Sequence, residues 1–300
     1  LVFLLTNFIG DPVDMLVPEN ATLEQIESAR ARLGLDKPLP VQYGIFIRDV
    51  LHGNFGKSYI YGKPAMDLIF ERMPATLELV AVAACLVLCI AIPLGVYAGA
   101  YPKRASSKLI MSGSILGISL PSFWVGMMMI YIFAVVLRLL PASGRGNTVM
   151  VGNVALSIFA PGGIRYVILP AITLALTNVA TMLRLTRSGI LENMRQDYIK
   201  FARAKGVPAK SILFGHALKN ALIPVVTIFG MDLGNMIAFT TITETIFAWP
   251  GMGKLLIDAI NKSDRPIIVA YLMAAACMFV VLNFIVDILY TLIDPRIELR

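Results

Sequence analysis

The chain has 300 residues, of which 57% are hydrophobic and 15% charged, and its mean hydropathy is +0.76. That balance excludes a water-soluble globule and places the chain in a bilayer, because the apolar residues fall in long uninterrupted runs. The net charge of +7 is concentrated in short loops and reads as a topology signal with some attraction to anionic lipid, not as a nucleic-acid footprint.

Residues 1–10 carry no charge. At 1.5 Å of rise per residue they cover about half of a ~30 Å hydrocarbon layer, so they read as the end of a helix whose upstream part is missing. Residues 11–72 hold nine acidic and seven basic side chains and are assigned to the extracytoplasmic side as a small helical ectodomain. Within it, Thr22 and Gln25 form a capping-box pattern that predicts a helix through Arg32, stopped by Gly34. A second helix is predicted from Val41 to His52, ended by Gly53.

Five membrane spans follow, at 73–102, 109–137, 166–183, 220–243 and 266–286. The first contains a single charge, Glu78, and the fourth a single charge, Asp232. With the partial helix at the start, the expected architecture is an all-α integral membrane protein with six transmembrane helices. Gly113 and Gly117 are spaced for close helix packing in the 109–137 span. Cys85, Cys89 and Cys277 all lie in apolar runs and are expected to be small buried thiols, neither a disulfide framework nor a metal set. Arg184 to Lys219 contains eight basic residues, and Lys103, Arg104, Lys108, Arg296 and Arg300 fall on the same side. That side is predicted to be cytoplasmic, with both termini on it.

Chemistry of the enzymatic kind is absent from the pattern. Gly56-Lys57-Ser58 has Leu51 where a phosphate loop needs glycine, and Gly253-Lys254 is followed by Leu255. The two histidines, His52 and His216, fall on opposite sides of the membrane and make no zinc or nucleophile-base pair. No catalytic residue, metal site or cofactor is expected in the chain.

The charged loop from 188 to 219 is more informative. Tyr198, Phe201 and Ala202 share a helical face, the Gly206-Val207-Pro208 break follows, and an amphipathic run from Ile212 leads into the next span. Composition alone fits a helix lying on anionic lipid equally well. Inside the membrane, Asp232 sits about 18 Å along its helix from Asn220, near the midplane. Its readings stay open: with Asn235 it faces a water-filled pathway, or it makes an interhelical bond beside the close-packing Gly230 and Gly234, or it is protonated. Thr173, Thr177 and Thr181 recur on one face and read as packing contacts first and pathway lining second. Glu78 and Glu244 fall near outer helix ends that water reaches, suited to anchoring or gating or to ligand contact, and Asn283 with Asp287 suggests a packing bond. Trp249 begins a turn just outside the 220–243 span and suits an interfacial anchor.

The stretch from Tyr198 to Pro224, with its Ala-Arg-Ala-Lys-Gly and His-Ala-Leu-Lys-Asn-Ala-Leu-Ile-Pro, resembles the coupling segment of the peptide- and nickel-type permeases of ATP-binding-cassette (ABC) importers. Four further blocks match that family in order: Gly10-Asp11-Pro12; Leu33-Gly34-Leu35-Asp36 with Pro38-Leu39; Arg72 to Leu79; and Glu244 to Gly253. A closing Asp294-Pro295-Arg296 also fits, and the order resembles the B-type subunit more than its C-type partner. The chain departs from the general coupling motif, which opens Glu-Ala-Ala, in having Lys200-Phe201-Ala202 before Gly206.

The resemblance implies a permease subunit in a bacterial inner membrane that carries dipeptides or oligopeptides, with nickel or glutathione-like solutes as alternatives. It implies four kinds of partner: a second, C-type permease; two ABC ATPase subunits that hold the ATP and magnesium; a solute-binding protein; and the bilayer itself. It assigns ATPase coupling to Tyr198, Phe201, Ala202, Arg203, Ala204, Lys205, Gly206, Val207 and Pro208, and a pathway or gate to Asp232, Asn235, Thr177, Glu244 and Trp249. It also implies that the Trp249 turn and the 11–72 segment form the outer docking surface for the binding protein. A stand-alone ion-coupled carrier working through Asp232 is the rival from another class, and it needs an internal repeat that the chain does not display.

Overall fold

A computed structural model of the chain describes residues 3, 13, 17 and 21–293. Of the expected partial helix at 1–10 only Phe3 is described, and the Gly10-Asp11-Pro12 and Asp294-Pro295-Arg296 blocks lie outside the described residues.

Helix α1 (Leu23–Leu33) opens on the predicted capping box: the Gln25 N–H donates to Thr22 Oγ1 and the Thr22 N–H to Gln25 Oε1, and Gly34 closes it in the left-handed conformation. Helix α2 (Leu39–Leu51) starts two residues before the expected position and buries none of its side chains. Helix α3 (Ala65–Ala100) then runs for 36 residues and starts well ahead of the 73–102 window that announced it. Its Pro74 and Pro93 fall inside the helix.

The expected straight span at 109–137 is replaced by a broken one. Helix α4 (Ala105–Ser119) and helix α5 (Ser122–Met129), the latter continuing as π-helical turns over Ile130–Val136, meet at 105°. Pro121 explains the break, since its ring disfavours helical geometry at the preceding residue, and Leu120 is extended at φ −88°, ψ 130°. A short antiparallel hairpin follows, β1 (Val149–Val151) with β2 (Val154–Leu156), Met150 opposite Ala155.

Helix α6 (Ile164–Asn193) outruns its predicted span by ten residues at the inner end. Helix α7 (Asp197–Ala204) and the single turn α8 (Ala209–Ser211) lead through π-helical turns (Ile212–Ala217) into α9 (Leu218–Ile246). Helix α10 (Met252–Asn261) packs against α9 and α11 (Arg265–Ile293), and α11 closes the described chain. Four helical segments are long and apolar enough to cross a membrane, or five with the bent α4–α5 pair taken as one span. Six spans are therefore not found among the described residues.

Helix α3 packs along α6, and α9 packs against both. In lipid, where apolar side chains gain little from leaving the solvent, small residues that admit close backbone contact hold such seams together. A Cβ on Gly95 would strike Thr186 of α6, and one on Gly99 would strike Ile190. The central cluster includes Leu79, Ala83, Val87, Ala171, Met182 and Val225. One cluster, at the end where the basic loops collect, joins Val96, Ile190, Ile199, Ile212, Ala217 and Ala221, and another, at the opposite end, joins the start of α3 to α10 and α11.

Several expected contacts are corrected. Gly117 does pack on Ala180 and Leu176, but Gly113 has nothing beside it. Thr173 and Thr181 donate to Leu169 and Thr177 carbonyls of their own helix, and Asn283 to that of Phe279, so these hydroxyls and amide bond along helices instead of between them. The side chain of Asp287 lies outside the described residues. Cys85, Cys89 and Cys277 are exposed on the isolated chain, not buried, because they occupy outward faces of α3 and α11.

Candidate functional site

At the end where the basic loops collect, α7 stands as a knob on a buried foot. Ile199 is fully enclosed in the cluster with Val96 and Ile190, so α7 is anchored on one side while Phe201 and Phe214 remain 62% and 52% exposed. Tyr198 braces the base: its hydroxyl donates to Asn193 Oδ1 at the end of α6 (2.7 Å) and accepts from Asn220 Nδ2 at the start of α9 (3.0 Å). Lys205 lies over the Phe201 ring at 4.4 Å. The Lys200–Asp197 pair holds the Asp197 carboxyl below its usual range through a direct hydrogen bond, but both side chains are exposed and such a pair adds little stability.

Gly206 closes α7. Its φ is +78°, a conformation most side chains disfavour, and its N–H donates to Arg203 O while the Val207 N–H donates to Ala202 O. No neighbour fills the space at Gly206, so backbone conformation alone sets the need for glycine. Ala204, Lys205, Gly206 and Pro208 are all exposed, while Ala202 and Val207 are half-buried against the foot.

At the opposite end three buried carboxylates fasten loops to helices. Glu244 of α9 accepts from Thr76 Oγ1 (2.6 Å) and from the Lys254 N–H (2.9 Å), while the Met252 N–H donates to Thr76 Oγ1 (2.9 Å). The carboxylate therefore caps the first turn of α10 from another helix, where the helix dipole favours negative charge. A Cβ on Gly251 would fall on that carboxylate, and one on Gly253 would strike Thr241. These contacts account for both glycines of the Trp249-Pro250-Gly251-Met252-Gly253 turn. Trp249 is fully buried and its indole N–H donates to Ala75 O at 2.9 Å, so it is a core residue and not the interfacial anchor expected.

Glu78 sits in α3 near Thr76. It accepts from Arg145 Nε and Nη2, from the Ser157 N–H and Oγ, and from the Ile158 N–H. Arg145 also donates to Ala155 O and lies 5.7 Å from the Trp249 ring, which ties the hairpin loop to the turn. The third acid, Asp264, is fully buried and accepts from Ser58 Oγ and the Tyr59 and Ile60 N–H groups. Glu78 and Glu244, at 5% and 0% exposure, are thus closed off from water within the chain, contrary to the expectation that water reaches them.

Asp232 is the central residue of α9 and is half-buried, with Asn235 exposed one turn on. Thr177 is exposed on α6. No hydrogen bond links Thr177 to Asp232 or Asn235, and none links these to Glu244 or Trp249. The predicted pathway residues therefore separate into an exposed set along the helices and a buried set at the outer turn. Sequence reasoning missed Arg145 and Asp264. Asp264 stands just before Arg265-Pro266, a helix-start pattern that could have marked it, whereas nothing local marks Arg145.

This architecture meets known proteins along its whole length. Residues 91–299 match the family described as binding-protein-dependent transport system inner membrane component, and residues 1–80 match the N-terminal region of such components. The chain belongs to that family. Curated relatives include the probable D,D-dipeptide transport permease DdpB of Escherichia coli, 37% identical over 99% of this chain and 92% of its own length. The di/tripeptide permease DppB of Pseudomonas aeruginosa is 39% identical over 99% and 93%. The oligopeptide permease AppB of Bacillus subtilis is 39% identical over 96% and 90%. Among solved structures, the inward-facing methionine ABC transporter MetNI superposes with a TM-score of 0.61 at 15% identity, covering 76% of this chain and 97% of that one, a likeness of fold. The inner-membrane component fold is thus the frame that carries the knob, the three carboxylates and the central acid.

Proposed function

We propose that this chain is the B-type permease subunit of an ATP-driven importer and forms half of a translocation pathway for di- or oligopeptides. The peptide substrate is supported by relatives named for D,D-dipeptides, di- and tripeptides, and oligopeptides. One observation carries the mechanical part. α7 and the Gly206 turn form a rigid exposed knob whose foot, Ile199, shares a cluster with α3, α6 and the π-helical turns that lead into α9. A segment of this kind fits a groove on an ATPase partner and passes its displacement to the spans as a rigid body. ATP and magnesium belong to two partner ATPases, a C-type permease completes the pathway, and a solute-binding protein docks on the opposite face. The knob and both termini then face the cytoplasm.

The test is affinity purification of the tagged chain from cells expressing its neighbouring reading frames, followed by ATPase assay. Recovery of a second permease and of ATPases whose hydrolysis responds to peptide-loaded binding protein is the expected result. A chain that purifies alone and moves solute down an ion gradient would overturn the proposal.

A further inference from the structure

The two sides of α9 differ. On one, Gly230 lies against Val286 and Gly234 against Phe279, both of α11, and Met236, Ile237 and Thr240 are buried. On the other, Met231 and Phe239 are 59% and 62% exposed, and Ile228 and Ile242 are exposed with them. Asp232 and Asn235 fall on this second side by helical spacing. The close packing at Gly230 and Gly234 is thus made without Asp232, which removes the interhelical-bond reading among the described residues. No described basic side chain pairs with the Asp232 carboxylate. At the middle of a span, a carboxylate facing acyl chains costs about 2.5–3.5 kcal/mol or more, so this side of α9 is turned to water or to protein.

We propose that Asp232 is a binding site for ammonium groups on the pathway: its carboxylate accepts a charge-assisted hydrogen bond from a protonated amino group of the passing peptide. Asn235, three residues on and on the same side of the helix, offers its amide oxygen as a second acceptor, while Met231 and Phe239 supply apolar walls. The partner chemistry is a primary ammonium, found on every peptide N-terminus and on lysine side chains. The proposal rests on the importer reading.

The test uses the assembled complex in proteoliposomes, with Cys85, Cys89 and Cys277 replaced by alanine and a reporter thiol introduced by Asn235→Cys. Reaction rates are measured with a cationic and an anionic methanethiosulfonate of similar size. With Asp232 intact or replaced by glutamate, the cation should react about tenfold faster, and the preference should shrink with ionic strength and vanish in Asp232→Asn. Equal rates with Asp232 intact, or no reaction, would overturn the proposal. With Asn235 restored, uptake is compared for dialanine and alanyl-lysine. Asp232→Asn should slow uptake about tenfold while Asp232→Glu retains it. Equal slowing of both peptides assigns the site to the N-terminal ammonium, and slowing of alanyl-lysine alone assigns it to the side chain. Wild-type uptake of both by the asparagine variant would overturn the proposal. Absence of ATP-driven uptake in the unmutated complex would instead count against the importer reading, and the thiol rates would still decide the question at Asp232.

Discussion

The carboxylate of Glu244 does for α10 what a capping side chain normally does, but it reaches the turn from α9 and shares the task with Thr76 of α3. Replacing Glu244 by glutamine substitutes an amide whose N–H₂ confronts one of those donors. A buried donor left without an acceptor costs about 1–3 kcal/mol. Glu244→Gln should therefore lower the melting temperature of the detergent-solubilised protein, and Gly251→Ala should lower it further. A melting temperature unchanged in both would show that the turn is held by other contacts. Glu78 makes a sharper case, because Arg145 is its counter-ion at 10% side-chain exposure. Arg145→Ala strands a buried charge and should cost about 3–5 kcal/mol, with part of the loss recovered in the Glu78→Gln double variant. The Trp-Pro-Gly-Met-Gly turn was legible as a turn from its glycines and proline. Its purpose was not, since Thr76 is 168 residues from Glu244 and no local pattern encodes that pairing.

Among the elements, α7 and its glycine stop were legible in outline, because helical spacing and a Gly-x-Pro break are both local, whereas its start at Asp197 carries no side-chain cap to mark it. Gly206→Val forces a β-branched residue to φ +78°, which costs about 1–2 kcal/mol in that one turn. The variant complex should assemble, and its ATP hydrolysis should lose its dependence on peptide-loaded binding protein. Normal uptake by the variant would argue against a coupling role for the turn. Tyr198→Phe removes both hydroxyl bonds to Asn193 and Asn220 and should weaken coupling less, since the Ile199 foot is retained. The break between α4 and α5 escaped the count of apolar residues because hydropathy carries no direction. Only Pro121 and its extended neighbour Leu120 report the bend, and they sit inside a window that is charge-free throughout.

For the molecule as a whole, the membrane class, the helical content and the family were open to reading from composition and motif order. The arrangement of helices was not, because seams such as Gly95 on Thr186 depend on which helices become neighbours. Helices α1 and α2 present exposed apolar side chains, among them Leu23, Leu39, Tyr43 and Leu51. If they form part of the binding-protein platform, removing residues 21–52 should abolish stimulation of ATP hydrolysis by the binding protein while leaving basal hydrolysis in place. Unchanged stimulation would move the platform to the hairpin and the α10 turn.

Helix α3 holds Val96 in the cluster beneath the knob and, some five turns away, Thr76 and Glu78 in the acid clasps at the other end. At 1.5 Å per residue, about 30 Å of helix separates those two attachments, roughly the thickness of the hydrocarbon layer. α3 is in effect a connecting rod pinned at both ends, and its seam with α6 stiffens it against buckling. Under the proposed coupling role, a displacement of the knob would reach the far clasps along this one helix, through Pro93, so the two ends of the molecule would be linked without a separate messenger.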